Sequence, residues 1–460
     1  MRWSGLLAAV VACSWLAGCA SVHNEPVNEP AHGSVVDQLH LGFKEVADED
    51  DLLIGLAFSG GGTRAAAFSF GVLSEFDRIP VPRAGDKLID RLDFISSVSG
   101  GSITAAYYGL KRRAALTDFR ERFLLQNAEE GIETRLSLAT MGRALGGGIN
   151  DSHGFTQWLD RNLFHGATYG EFRAAGPPRV WINASDIYNR VPFVFGATAF
   201  TAICSDLTKF PLSNAVAASA AVPVAFAPIV IKAYPDTCND PLPQWILRSA
   251  DDRTASPMLR SFASAILRYR EGKVPYIKLL DGGLVDNFGL AGFTISRESS
   301  TTPYGPLTPQ QAVRLRRSLF LVVDSKEGLS GDWVRTAEGP TGVDLVRAAI
   351  DTTIDASVGA SYIAFKRTMT DWQNALVKWR CGLSAVDRQR YGAPPGWNCR
   401  DVKFFVDRIG FDQFEPARAA ELGKVPTRFH LPERQVDLVI DAGRDAVRQS
   451  PSLRAFLNSM

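Results

Sequence analysis

Residues 51–73 read DLLIGLAFSGGGTRAAAFSFGVL: an apolar run, three glycines, then residues at helical spacing. A strand that turns through glycines into a helix leaves backbone N–H groups at the helix N-terminus, where they hold negative charge. Three kinds of anion compete for such a loop. A nucleotide phosphate requires GxxxxGK[ST], but Gly62 is followed by Thr63-Arg64 and the loop has no lysine, so that reading fails. A dinucleotide is closer, because residues 60–65 satisfy G-x-G-x-x-A. It also needs an acidic residue about 20 positions on, at the end of a second strand. Glu75 and Asp77 come too early, and the stretch after them, IPVPRAGDK, reads as a loop, so the dinucleotide fit is poor. The third candidate is an oxyanion that forms only during a reaction, and it requires a nucleophile elsewhere in the chain.

The next apolar run, LDFISSV (92–98), leads into Ser99-Gly100-Gly101-Ser102 and then a helical stretch. A serine on a sharp strand-to-helix turn is a nucleophile elbow, usually written G-x-S-x-G. Here Ser97-Val98-Ser99-Gly100-Gly101 departs from that form at its first position, where Ser97 replaces glycine. A serine hydroxyl needs a base. In the stretch LLDGGLVDNFG (279–289), Asp281 ends an apolar run before Gly282 and Gly283, and such an aspartate either caps the turn or serves as that base. Two activations are open: a triad of Ser99, Asp281 and His430 in the α/β-hydrolase chain order, or Ser99 with Asp281 alone.

The order SGGGTR, serine elbow, NAVAASAAVPVAFAPI (214–229) and DGG resembles the patatin-like phospholipases. The resemblance spans about residues 52–300, with a weaker echo in FHLPERQVDLVIDAGRDAV near the C-terminus. It implies a three-layer α/β fold with a mostly parallel central sheet and helices on both faces. It also implies a Ser–Asp dyad of Ser99 and Asp281 and an oxyanion hole from Gly60, Gly61 and Gly62. Arg64 would orient that loop, and Gly100, Gly282 and Gly283 would keep the two turns uncrowded. The substrate implied is a phospholipid or another acyl-ester lipid, cleaved without metal or cofactor.

The rest of the chain sets the context. Its 460 residues, 46% hydrophobic and 22% charged, suit a large globular body, and a net charge of +1 gives no electrostatic case for nucleic acid as partner. MRWSGLLAAVVACSWLAGCA has the layout of a secretory signal, and Leu16-Ala17-Gly18-Cys19 resembles the bacterial lipobox, in which the cysteine becomes the lipidated first residue. Ala20 after that cysteine favours the outer membrane, so the expected location is the bacterial cell envelope, facing the periplasm. The expected organisation is a signal over 1–18, a lipidated flexible tether over 19–50, a catalytic core over 51–300 and its completion over 301–460. Export permits disulfides. Of the three pairings open to the four remaining cysteines, proximity favours Cys204–Cys238 and Cys381–Cys399. No CxxC supports zinc.

Period and composition place strands at 52–58, 92–98, 179–184, 276–280 and 318–324. Helices are expected near 64–77, 101–111, 115–128, 213–221, 342–366 and 433–448, with loop-rich insertions at 240–275 and 370–400. The apolar stretches 193–200 and 221–230 suit buried strand or helix better than the wall of an acyl channel. A non-catalytic lipoprotein that binds lipid or a protein partner with the same body is the alternative from another class.

Overall fold

β1 (Leu52–Phe58) is buried at every residue, and its two faces feed two different cores. Leu52, Ile54, Leu56 and Phe58 join one cluster, while Leu53 and Ala57 join the other. A strand buried on both faces is a central strand of a parallel sheet covered by helices above and below. The computed structural model describes residues 24–35, 51–82, 86–130, 150, 152–223, 225–329 and 331–460. The signal segment, Cys19 and most of the expected tether lie outside the described residues.

In chain order the principal elements are β1, α1 (Gly62–Phe76), β2 (Phe94–Val98), α2 (Gly100–Lys111), β3 (Arg179–Asp186), β4 (Val191–Val194), α3 (Leu212–Ser219), β5 (Ile229–Lys232), β6 (Tyr276–Asp281), α4 (Ala291–Glu298), β7 (Arg317–Asp324), α5 (Gly342–Cys381), β8 (Lys403–Gly410) and α6 (Glu433–Gln449). Eight strands form one sheet in the order β5-β6-β3-β2-β1-β7-β8, with β4 also paired to β3. The run β3-β2-β1-β7-β8 is parallel, whereas β4, β6 and β5 add antiparallel pairings at the far side. α1, α2 and α6 cover one face through Phe68, Val72, Ile103, Val436 and Ile440. α4 and α5 cover the other through Phe293, Phe365, Met369 and Trp372. The three-layer α/β fold with a mostly parallel sheet is therefore present. On the second face a Cβ at Gly55 would sit 1.9 Å from the Phe94 ring, which packs against Trp181, Phe293 and Phe320.

Several expected elements differ in extent. The stretch 115–128 is not one helix: Ala115–Phe119 is followed by a wider-turned segment, Arg120–Leu124, in which Arg120 pairs with Glu433 and Asp437 of α6. The stretch 240–275 is not loop-rich, because it carries helices at Gln244–Asp251 and Pro257–Arg270. α5 runs on into the expected insertion at 370–400, with Trp372, Leu376 and Arg380 buried. Residues 193–200 and 221–230 supply the end of β4, the start of β5 and a knot of buried rings around Phe193, Phe195 and Phe200, so both contribute to the core. The tether is not free over its described residues 24–35. Asn24 donates to the Pro228 carbonyl at 3.0 Å, the Val27 N–H to Val230, and Asn28 exchanges hydrogen bonds with Lys232, so this segment lies along β5. Disulfides join Cys204 to Cys238 and Cys381 to Cys399. No described helix is long and apolar enough to cross a membrane.

α1 and α6 approach backbone to backbone. A Cβ at Gly71 would lie 2.1 Å from the Ile440 carbonyl oxygen, and one at Gly443 would lie 2.3 Å from that of Phe68. α6 thereby holds the helix on which the glycine loop is mounted. Gly443→Val should force the pair apart and cost on the order of 2 kcal/mol of stability, the usual size of overpacking. Urea unfolding of the purified protein checks this.

Candidate active site

Ser99 lies between β2 and α2 with φ 52° and ψ −124°, a conformation costly to any residue with a side chain. Such strain persists only where neighbours fix it, and here they are close. The Ser99 N–H donates to Ser219 Oγ at 2.8 Å, and Ser219 Oγ in turn donates to the Asn183 carbonyl at 2.6 Å. A Cβ at Gly100 would come within 2.0 Å of the Gly62 carbonyl oxygen, and one at Gly101 within 2.6 Å of that of Ser59. Gly100 and Gly101 thus let the 60–62 loop lie directly on the turn that carries Ser99. Ser97, where the elbow pattern has glycine, is accommodated because its hydroxyl donates to the Trp181 carbonyl on β3 at 3.0 Å and accepts from Ser102 at 3.1 Å.

Asp281 arrives from the opposite direction. β6 is antiparallel to β3, with Ala184 facing Asp281, while β2 pairs with β3 as far as Val98 facing Asn183. The two registers put residue 99 and residue 281 at the same level of the sheet. Ser99 Oγ donates to Asp281 Oδ2 at 2.7 Å, and Oδ1 accepts the Gly283 N–H at 2.8 Å. Only 3% of Ser99 and 8% of Asp281 is exposed. Burial pushes the Asp281 carboxyl up to about 6, against the opposing pull of the hydrogen bonds from Ser99 and Gly283. At neutral pH the group is an anion with raised affinity for a proton, already holding the serine hydroxyl.

The Ala/Ser-rich block places its end between the two groups. Besides the Ser219 hydroxyl under Ser99, the carbonyl of Ser219 accepts the Gly282 N–H at 3.1 Å and that of Ala221 accepts the Asp281 N–H at 2.9 Å. A Cβ at Gly282 would lie 2.4 Å from the Asn183 carbonyl oxygen, so Gly282 too is fixed by close approach. Asn183 and Ser219 carry much of this architecture, and neither stood out in the sequence; the block containing Ser219 did.

The glycine loop divides its roles. The Gly60 N–H is not free: it donates to the backbone and side-chain oxygens of Asn287, at 3.3 and 3.2 Å. The expectation of three amide donors therefore reduces to Gly61 and Gly62, whose N–H groups meet no acceptor among the described residues. Gly60 contributes its lack of a side chain, since a Cβ there would sit 2.6 Å from Asn287 Oδ1 and 3.1 Å from Ser99 Cβ. Asn287 joins the glycine loop to the segment that follows Asp281 and was not singled out from the sequence; its place six residues after Asp281 in LLDGGLVDNFG was the available signal.

Arg64 is buried beneath the loop. Its guanidinium donates to the Ser325 and Val425 carbonyls, Glu327 and Thr427, which ties the start of α1 to the ends of β7 and the 425–428 segment. The Thr63 N–H adds a bond to the Arg428 carbonyl at 2.8 Å. His430, two residues on, is exposed, and among the described residues no hydrogen bond joins it to Ser99 or Asp281. The hydrogen bonds to the Asp281 oxygens come from Ser99 and Gly283.

The family model described as patatin-like phospholipase matches residues 56–294, more than half of the chain. No curated protein matches the chain. Among solved structures, human GIVD cytosolic phospholipase A2 is similar at 13% identity and a TM-score of 0.43, covering 93% of this chain and 65% of that one.

Ser219→Ala should leave the Ser99 N–H buried without an acceptor, which costs about 1–3 kcal/mol. Chemical denaturation reads the loss, and Ser213→Ala, a buried serine in the first turn of α3, is the comparison that should lose less.

Proposed function

The chain belongs to the patatin-like phospholipase family, and on that premise we propose that it is a serine lipid acyl hydrolase working through a dyad of Ser99 and Asp281. One observation carries the reading: the 2.7 Å hydrogen bond from a strained, buried serine to a carboxylate whose proton affinity burial has raised. Ser99 Oγ attacks the ester carbonyl while its proton passes to Asp281 Oδ2. The carbonyl oxygen becomes an oxyanion and accepts hydrogen bonds from the Gly61 and Gly62 N–H groups, an interaction worth on the order of 10²–10³ in turnover per donor. The tetrahedral intermediate collapses, the alcohol departs with the proton from Asp281, and Ser99 keeps the acyl group. Water then attacks, Asp281 takes its proton, and collapse releases the fatty acid and restores the serine. The net change is ester plus water to acid plus alcohol.

The substrate class follows the family: a phospholipid or lysophospholipid, with the class of carboxylic ester hydrolase. On the same footing, Cys19 is lipidated after removal of residues 1–18, and the body is held in the bacterial cell envelope, at the outer membrane on its periplasmic side. Both disulfides support an oxidising compartment.

The reading predicts that the mature protein releases fatty acid from phospholipid and short acyl esters. Ser99→Ala and Asp281→Asn should each lower kcat/KM by about 10³ or more, on the scale of losing an activated nucleophile. His430→Ala should leave it within about twofold of wild type, since among the described residues no hydrogen bond joins His430 to Ser99 or Asp281; a His430→Ala loss as deep as that of Asp281→Asn would replace the dyad with a triad. Because Asp281 must be ionised to accept a proton and its folded value is raised to about 6, kcat/KM should climb with pH through about 6 and then level off.

A further inference from the structure

Gly62 is wedged between two stretches of backbone. A Cβ on it would lie 2.5 Å from the Arg428 carbonyl oxygen and 3.0 Å from the Arg428 nitrogen. On its other side, a Cβ at Gly100 would lie 2.0 Å from the Gly62 carbonyl oxygen. The Arg428 carbonyl also accepts the Thr63 N–H at 2.8 Å. The direction of the Gly62 N–H therefore depends on where the backbone of Arg428 stands.

Two carboxylates hold that backbone from either side. Glu327 accepts the Thr427 N–H at 3.1 Å and the Thr427 hydroxyl at 2.7 Å. Glu129, 299 residues before Arg428, takes the other side with both oxygens. Its Oε1 accepts the Phe429 N–H at 2.9 Å and Arg428 Nε at 3.2 Å, and its Oε2 accepts Arg428 Nη2 at 2.6 Å. The turn that presents Glu129 is itself fixed, because Ala128 is buried and donates its N–H to the Phe429 carbonyl at 3.2 Å. Only 14% of the Glu129 side chain is exposed, so this is not one of the solvated surface pairs that contribute little. A carboxylate that takes a guanidinium with both oxygens and a backbone N–H besides fixes a position as well as a charge.

We infer that Glu129 is a positioning residue for the oxyanion hole: it holds Arg428 and Phe429, and Arg428 holds Gly62 and Thr63. Its side-chain hydrogen bonds go to Arg428 and Phe429, so it acts through the glycine loop rather than on substrate. On the hydrolase reading, on which the catalytic consequence rests, its loss lets the Gly61 and Gly62 amides drift from the position where the oxyanion forms. A misplacement of about 1 Å in a positioning group costs up to about 10²-fold in rate. Because these amides bind the charge that develops during attack, the loss falls on kcat and leaves KM in place.

The test compares Glu129→Ala and Glu129→Gln with Asp77→Ala, which takes a carboxylate from Arg113 at the far end of α1. Amide hydrogen exchange, read by mass spectrometry on the peptide that contains Thr63, follows the bond to Arg428 directly. Glu129→Ala should speed exchange at Thr63 by about tenfold or more, and Asp77→Ala should leave it unchanged. With p-nitrophenyl butyrate, Glu129→Ala should lower kcat by about tenfold or more with KM within about twofold of wild type. Inhibition by an alkyl trifluoromethyl ketone should weaken by the same factor. Ser99 Oγ adds to the carbonyl carbon of that ketone, the serine proton passes to Asp281, and the ketone oxygen stays as an oxyanion in the hole. Glu129→Gln keeps an acceptor for the Phe429 N–H and should lose about threefold in kcat, which carries the test if Glu129→Ala does not fold. Wild-type exchange at Thr63 in the Glu129 variants, a loss in KM rather than kcat, or an equal loss in Asp77→Ala overturns the inference. Exchange is read without substrate, so a chain that cleaves no ester at all would defeat the hydrolase reading while the hold of Glu129 on the loop is still decided.

Discussion

A carboxylate and a serine hydroxyl share a hydrogen bond in a nearly dry pocket, and the surrounding architecture exists to keep them there. Asp281 descends on an antiparallel strand and Ser99 rises on a parallel one, so a turn of chain has to stand between them and bind both. Residues 219–221 do this: a hydroxyl receives the Ser99 N–H, and two carbonyls receive the N–H groups of Asp281 and Gly282. With both ends tied to one short segment, the 2.7 Å contact does not depend on either strand alone. Exclusion of water serves two ends here, because it raises the basicity of the acid and strengthens every hydrogen bond in the pocket.

The glycines around this pocket are spaces more than hinges. Gly60, Gly100, Gly101 and Gly282 each sit where a Cβ would strike a neighbouring atom, three of them against a backbone carbonyl. Removing those carbons lets three turns from distant parts of the sequence meet at backbone distance, with Asn287 spanning two of them. The C-terminal third completes the frame. α6 lies on α1 through Gly71 and Gly443, and the 425–428 segment grips Arg64 and Thr63, so the glycine loop is held by residues more than 350 positions away.

Much of this was legible in the sequence, for reasons that differ by element. β1 and β7 are continuous apolar runs and α6 has one apolar face, so pattern alone found them. The serine, the aspartate and the glycines were found because turn chemistry at strand ends is local. The distances were not legible, since they depend on sheet register. Nor was the engagement of the Gly60 N–H, because its partner lies 227 residues away. The helices at 244–251 and 257–270 were missed although Ser256 caps the second and Pro257 opens it, a start signal that polar, charge-rich surroundings obscured. β8 and the lower part of α5 were missed because their burial comes from packing on each other and on β7, which no local period reveals.

The central claim is that Asp281 alone activates Ser99. The rate at which a fluorophosphonate forms its adduct with Ser99, followed by mass spectrometry across pH on folded wild-type, Asp281→Asn and His430→Ala proteins, measures that activation without reference to any lipid. The account predicts labelling that increases with a single ionisation near 6 in wild type, the same curve in His430→Ala, and almost no labelling in Asp281→Asn. Labelling of Asp281→Asn at the wild-type rate, or its loss in His430→Ala, would contradict it.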